Sequence, residues 1–95
     1  MNDINLNNKI ALITGSTRGI GLATAILFAE QGACVFINGR NGNEVEKTVR
    51  EYRERGLNFE GMAGDVSDEK FVKKFISFVA EESGRIDILV NNEGI

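Results

Sequence analysis

Residues 9–21 read KIALITGSTRGIG, a short apolar run that leads directly into a turn with three glycines. Because consecutive rather than alternate residues of the run are apolar, the pattern predicts a β-strand buried on both faces. In the turn, Gly15 permits a sharp exit from the strand, Gly19 lets the backbone approach a ligand, and Gly21 lets a helix lie tightly on the sheet. The unpaired amides at the start of that helix favour an anion, and we expect the pyrophosphate of a dinucleotide there. A tight turn that binds no ligand is the alternative.

The rest of the chain continues the alternation of strands and helices. Gly32, Gly56 and Gly84 each follow a predicted helix, and Asn41 and Glu44 have the spacing of a capping box. The predicted elements are a strand at 9–14, a helix at 19–31, a strand at 34–38, a helix ending at 55, a strand at 57–63, a helix capped by Ser67, and a strand at 86–90. This order, βαβαβαβ, predicts an α/β fold with a three-layer, doubly wound parallel sheet and strand order 3-2-1-4. A crevice is expected beyond the carboxyl ends of strands 1 and 4, where the winding direction reverses.

Apolar stripes indicate which helix faces should lie against this sheet. The first helix is broadly apolar through Ile20, Ala23, Ile26, Leu27, Phe28 and Ala29. The third has one apolar face made of Phe71, Val72, Phe75, Ile76 and Val79. Tyr52, the only tyrosine, lies on the stripe of the second helix and is predicted to be a core residue.

Composition limits the classes of function. The chain has 95 residues, 42% of them hydrophobic and 26% charged, which is typical of one small soluble domain spanning residues 1–95. A net charge of -3 and the lack of any basic run longer than two residues predict no nucleic-acid partner and no membrane partner. With no histidine and a single cysteine, Cys34, we expect neither imidazole chemistry nor a metal site. The polar start, residues 1–8, lacks the pattern of a secretion signal, so a cytoplasmic location is expected.

The spacing Thr-Gly-x-x-x-Gly-x-Gly at residues 14–21 resembles the short-chain dehydrogenase/reductase family. Further matches in order and spacing are Gln31-Gly32-Ala33, Asp65-Val66 and Asn91-Asn92-x-Gly94. The resemblance covers essentially the whole chain and is greatest to 3-oxoacyl-[acyl-carrier-protein] reductases and related bacterial ketoreductases. It implies a Rossmann-type fold, a nicotinamide coenzyme, and a small-molecule carbonyl or acyl-thioester substrate for the full-length parent.

The end of the second strand carries the information on coenzyme choice. An NAD-preferring fold usually has a carboxylate there, whereas this chain has Gly39 followed by Arg40. Arg18 of the glycine-rich turn is a second guanidinium group, and two such groups can grip a ribose 2′-phosphate. NADP(H) is therefore the expected cofactor. The alternative is that Arg18 and Arg40 are solvated surface residues.

The resemblance also implies the remaining coenzyme contacts. The turn residues Gly15, Ser16, Thr17, Arg18, Gly19, Ile20 and Gly21 would surround the pyrophosphate. The pair Asp65 and Val66 would meet the adenine, although Asp65 could instead favour the positive end of the next helix. Asn91, Asn92 and Gly94 would pass close to the ribose, with an asparagine tying neighbouring strands together. Glu93 stands where the family has alanine, and a carboxylate turned into the crevice would weaken coenzyme binding.

No catalytic residue is predicted in this chain. The resemblance implies a catalytic serine, and a catalytic tyrosine that stands four residues before a lysine. Four residues after Tyr52, this chain has Gly56 instead of a lysine. Family members are more than twice as long, so the sequence is interpreted as the cofactor-binding half of a truncated oxidoreductase, inactive alone. A bare edge on strand 4 predicts a homo-oligomer or pairing with a complementary fragment. Two other hypotheses remain: a non-catalytic dinucleotide-binding or redox-sensing module, and an assembly fragment without a ligand.

Overall fold

The computed structural model describes residues 5–92, which form four strands and three helices in strict alternation. The elements are β1 (Ile10–Ile13), α1 (Gly19–Glu30), β2 (Cys34–Gly39), α2 (Gly42–Glu54), β3 (Phe59–Ala63), α3 (Glu69–Ser83) and β4 (Ile88–Val90). All strand pairs are parallel, and the strands lie in the order β3-β2-β1-β4. The predicted doubly wound sheet and its strand order are confirmed.

The sheet is the middle of three layers. On one face, Ala25 and Ala29 of α1 and Val45 of α2 pack with Val35 and Ile37 of the sheet. The opposite face forms a second cluster, in which the sheet residues Leu12 and Phe36 meet Phe75 and Val79 of α3. Consecutive residues of β1 and β2 thus enter different clusters, which explains why both strands are apolar from their first residue up to Ile13 and Ile37.

The buried face of α1 is narrower than its broad apolar pattern indicates. Ile20 is 81% exposed and Leu27 is 51% exposed, whereas the buried residues of the helix are Gly21, Ala25 and Ala29. A β-carbon on Gly21 would overlap the carbonyl oxygen of Gly15, so the helix lies too close to the strand exit for a large side chain. Close approach therefore selects the smallest residues for the contact, and an all-round apolar helix gives no stripe from which to read that choice.

The helix caps confirm one expectation and correct another. Asn41 caps α2, because its side-chain oxygen accepts a hydrogen bond from the amide of Glu44 at 3.0 Å. The cap of α3 is Asp68 rather than Ser67, and its carboxylate accepts from the amide of Lys70. The prediction for Ser67 was wrong because its amide and hydroxyl both donate to Asp65, at 2.9 and 2.8 Å.

β3 and β4 each begin two residues later than predicted, and β1 begins one residue later. Leu57 donates its amide to the carbonyl of Tyr52 and so closes α2 instead of starting β3. Before β4, the carboxylate of Asp87 accepts the amide of Ile10 at 2.8 Å, which pins this segment to the start of β1. Tyr52 stacks on Phe59 with ring centroids 5.1 Å apart and packs against the larger core cluster, as predicted for a core residue. None of the helices within residues 5–92 has both the length and the apolar character needed to cross a membrane.

Truncating Phe75 should test the contribution of α3. Its ring is 2% exposed, so Phe75→Ala should lower the free energy of unfolding by about 3 to 5 kcal/mol through lost burial and a residual cavity. Ile76→Ala on the same helix removes a side chain that is 43% exposed and should cost no more than about 1 kcal/mol. Urea denaturation followed by circular dichroism measures both, and equal losses would contradict the layered core.

Candidate functional site

The glycine-rich turn joins β1 to α1 at the carboxyl edge of the sheet. Gly15 and Gly19 have φ values of +56° and +62°, which side-chain-bearing residues rarely adopt. Among residues 5–92, apart from the chain neighbours of Gly19 and the backbone of α1 itself, no atom lies within 4 Å of the position that a β-carbon on Gly19 would occupy, so the start of α1 is open on that side. The structure thus has the sharp exit at Gly15, the open helix start at Gly19 and the close contact at Gly21 that the sequence predicted.

A buried polar tie holds the turn against β2. The Ser16 hydroxyl donates to the carbonyl of Ile13 at 2.6 Å and accepts the amide of Asn38 at 2.9 Å, while the Ser16 amide donates to the carbonyl of Asn38 at 2.7 Å. Ser16 is completely buried and Asn38 is 2% exposed. Because the polar groups of Ser16 are already engaged inside the protein, its contribution here is to position the turn.

The side chain of Asn38 connects three strand exits. Its oxygen accepts the amide of Gly15 at 3.3 Å, and its nitrogen donates to the carbonyls of Met62 and Gly64, each at 3.2 Å. Within residues 5–92 no buried side-chain nitrogen or oxygen lacks a hydrogen-bond partner. Asn38 was not predicted as a site residue, although an asparagine that ends an otherwise apolar buried strand was a signal for it.

A second set of hydrogen bonds joins the turn to the exit of β4. The hydroxyl of Thr14 accepts the amide of Asn92 at 2.9 Å, and the Asn92 side chain donates to the carbonyl of Gly15 at 2.8 Å. Thr14 also donates to the side-chain oxygen of Asn91 at 3.3 Å. The expectation that an asparagine ties neighbouring strands is confirmed at Asn92. Glu93 and Gly94, for which coenzyme effects were predicted, lie outside the described residues.

Charged residues flank the outer end of this edge. The Arg40 side chain is 81% exposed, and its guanidinium lies 3.6 Å from the carboxylate of Asp65. The hydrogen bonds from Ser67 and the nearby guanidinium hold the pKa of the Asp65 carboxyl below its usual range. Val66 follows at the exit of β3 and is half-buried, while Arg18, just before α1, is exposed. An ion pair this exposed contributes little to stability, so Arg40 is free to turn toward an anion.

Thr17 closes the space beside the end of β2. A β-carbon on Gly39 would lie 2.8 Å from the Thr17 methyl carbon, so a larger residue does not fit there without displacing Thr17. The Thr17 hydroxyl donates to the carboxylate of Glu44 at 2.9 Å. Glu44 was predicted only as part of the capping box; its amide plays that role, but its side chain reaches across to the turn.

The structure thus brings most of the predicted site residues to one edge. These residues all follow the carboxyl end of a strand: residues 15–21 come after β1, Arg40 after β2, Asp65 and Val66 after β3, and Asn91 and Asn92 after β4. Tyr52 instead packs in the core, as already described. The arrangement can bind and orient an anionic ligand, whereas its predicted residues include no candidate for proton transfer.

Removing the side chain of Asn38 should loosen this edge. Asn38→Ala leaves the Gly15 amide and the Met62 and Gly64 carbonyls without their buried partner, so the free energy of unfolding should fall by about 2 to 4 kcal/mol. Asn58→Ala is the matched control, because this exposed asparagine uses its backbone carbonyl to pair with Val35. Chemical denaturation would contradict the assignment if the two substitutions were equally mild.

Comparison with known proteins places these features in a family. Residues 9–95 match the family described as short chain dehydrogenase. A 7alpha-hydroxysteroid dehydrogenase from Paraclostridium sordellii is 40% identical over 89 residues, which are 94% of this chain and 33% of that protein. The chain spans about a third of the length of the curated relatives that it matches.

Two solved structures of similar sequence have the same fold as this chain. The L-sorbose reductase of Gluconobacter frateurii, determined with NADPH and L-sorbose, superposes with a TM-score of 0.93 at 36% identity, covering 99% of this chain and 36% of that one. A variant of actinorhodin polyketide ketoreductase with NADPH gives a TM-score of 0.84 at 36% identity, covering 88% and 32%. The family match over almost the whole chain, together with the parallel sheet and its glycine-rich turn, shows that this chain belongs to the short-chain dehydrogenase family of oxidoreductases.

Proposed function

We propose that this chain forms the NADP(H)-binding part of a short-chain oxidoreductase that moves hydride between the coenzyme and a carbonyl compound. The observation that carries the proposal is the open start of α1 at Gly19, on the same sheet edge as the exposed residues Arg18 and Arg40. Backbone amides at a helix start attract a diphosphate without needing a charged side chain. When bound, the nicotinamide supplies the hydride chemistry, and the residues described above bind and orient it.

The preference for the phosphorylated coenzyme rests on the end of β2. Gly39 offers no carboxylate to accept ribose hydroxyls, and the Thr17 methyl would have to move before residue 39 could carry one. Arg40, the next residue, extends into solvent and can bind a 2′-phosphate together with Arg18. Both relatives described with NADPH are similar to this chain over most of its length, which supports the same choice here.

The remaining predicted contacts are part of the proposal. Asp65 and Val66 at the exit of β3 would meet the adenine, and Asn91 with Asn92 would border the ribose. Substrates of the whole protein are proposed to be small carbonyl compounds or 3-oxoacyl thioesters, as expected for a relative of ketoreductases. The chain alone is proposed to be inactive, since its only tyrosine packs in the core. Homo-oligomerisation and a cytoplasmic location stay predictions.

Calorimetric titration with NADPH and NADH tests the proposal. We expect NADPH to bind more tightly, and Arg40→Ala to weaken NADPH binding by about 10- to 100-fold, the value of one lost charge-assisted contact. The affinity for NADH should change less than about threefold, because NADH lacks the 2′-phosphate. Arg50→Ala, which removes an exposed arginine paired with Glu46 on α2, is the control for a general loss of positive charge.

The outcomes separate the candidate functions. Equal affinity for both coenzymes, unaffected by Arg40→Ala, would overturn the NADP preference while leaving a dinucleotide-binding module. Failure of both coenzymes to bind would reject the coenzyme site and favour an assembly fragment whose glycine turn only shapes the fold.

A further inference from the structure

Glu44 brings a carboxylate close to the end of β2, where the strand itself has Gly39 instead of an acidic residue. The Glu44 side chain accepts the Thr17 hydroxyl at 2.9 Å, and this hydroxyl lies 3.0 Å from the position of a β-carbon on Gly39. Glu44 comes from the first turn of α2, five residues after Gly39, so inspection of the strand end alone does not reveal it. The Glu44 carboxylate is therefore hydrogen-bonded to the Thr17 side chain, and Thr17 occupies the space that a side chain at residue 39 would fill.

We propose that Glu44 is a specificity-determining residue that limits the preference of this site for the 2′-phosphorylated coenzyme. The inference rests on the proposed coenzyme site and concerns how that site discriminates between its two forms. A carboxylate near the adenosine ribose accepts hydrogen bonds from free ribose hydroxyls and repels a phosphate attached to one of them. Glu44 thus supplies part of the effect that an acidic residue at position 39 would have.

Thr17 is the positioning residue for this charge. Glu44 is exposed, and a solvated glutamate samples several rotamers at little cost. The hydrogen bond from Thr17 selects the rotamer that turns toward the glycine-rich turn. Glu44 belongs to none of the ion pairs found among residues 5–92, so no cation within hydrogen-bonding distance neutralises it there.

The balance of charge around the expected 2′-phosphate follows from these contacts. Arg40 is accompanied by Asp65 at 3.6 Å, and Thr17, one residue before Arg18, is accompanied by Glu44. The Arg40 guanidinium therefore has a carboxylate near it, and the Glu44 carboxylate adds a second negative charge beside the glycine-rich turn. The site should prefer NADPH, but by less than its two arginines would produce alone.

The decisive measurement is the ratio of dissociation constants for NADH and NADPH in the unmodified chain and in Glu44→Gln. Glutamine keeps the size of the side chain and an oxygen that accepts the Thr17 hydroxyl, so the substitution removes the charge alone. We expect the ratio to rise about threefold to tenfold in favour of NADPH, as expected for one charge acting on a nearby phosphate in a largely solvated setting. Raising the ionic strength to about 0.5 M should reduce the gain, because salt screens it.

Glu46→Gln is the matched control. It makes the same change of charge on the same helix, but Glu46 pairs with Arg50 rather than with the turn. The ratio in this variant should stay within about twofold of the unmodified chain. An increase as large as that in Glu44→Gln would show that net charge alone is responsible, and would overturn the proposal.

Thr17→Val tests the positioning role. Valine preserves the methyl packing against Gly39 and removes the hydroxyl that holds Glu44. In this background Glu44→Gln should change the coenzyme ratio by less than about twofold, because the carboxylate is no longer held at the turn. An undiminished effect would reject the role of Thr17.

The result distinguishes this inference from the proposed function. Suppose that Arg40→Ala weakens NADPH binding, while Glu44→Gln leaves the ratio of the NADH and NADPH dissociation constants unchanged or lowers it. The role proposed for Glu44 is then wrong, but the proposed coenzyme site is retained. If neither coenzyme binds, both fall together. Thermal unfolding of each variant without ligand verifies that the compared chains are equally folded.

Discussion

The carboxyl edge of this sheet depends on a buried pair, Ser16 and Asn38, that satisfies the backbone where three strands end. A turn that leaves a buried strand exposes amides and carbonyls to an apolar environment, and each unsatisfied group costs about 1 to 3 kcal/mol. The Asn38 side chain, near the end of β2, makes hydrogen bonds to backbone groups at the exits of β1 and β3. The Ser16 hydroxyl in turn accepts the backbone amide of Asn38. The glycine-rich turn can be open at Gly19 because it is anchored so firmly at Ser16.

The charges on this edge are balanced rather than uniformly positive. Arg40 stands beside Asp65, and Thr17 holds the carboxylate of Glu44. Such an arrangement does not attract every polyanion, which agrees with a net charge of -3. In the proposed site, selectivity would come from where each charge is held, and the backbone amides of α1 would attract both nicotinamide coenzymes alike.

The sequence was sufficient for the architecture. Apolar runs in the strands, the glycines after each helix and the cap at Asn41 are local signals, and the strand order follows from connection rules. It was insufficient where a choice depended on side-chain geometry or on a partner distant in sequence. The buried face of α1 could not be chosen because the helix is broadly apolar, and the cap of α3 was wrong because the side chain of Asp65 accepts both the amide and the hydroxyl of Ser67. Asn38 and Glu44 were missed as site residues since their partners lie 22 or more residues away.

The central claim is that the open start of α1 receives the diphosphate of a nicotinamide coenzyme. Amide chemical-shift mapping by NMR of the uniformly ¹⁵N-labelled chain, titrated with NADPH, tests it most directly. We expect the largest chemical-shift changes at the amides of Gly19, Ile20 and Gly21, whereas the amide signals of Gly56 and Gly84 at the ends of α2 and α3 should stay unchanged. Shifts that spare the start of α1, or that spread evenly over the chain, would contradict it.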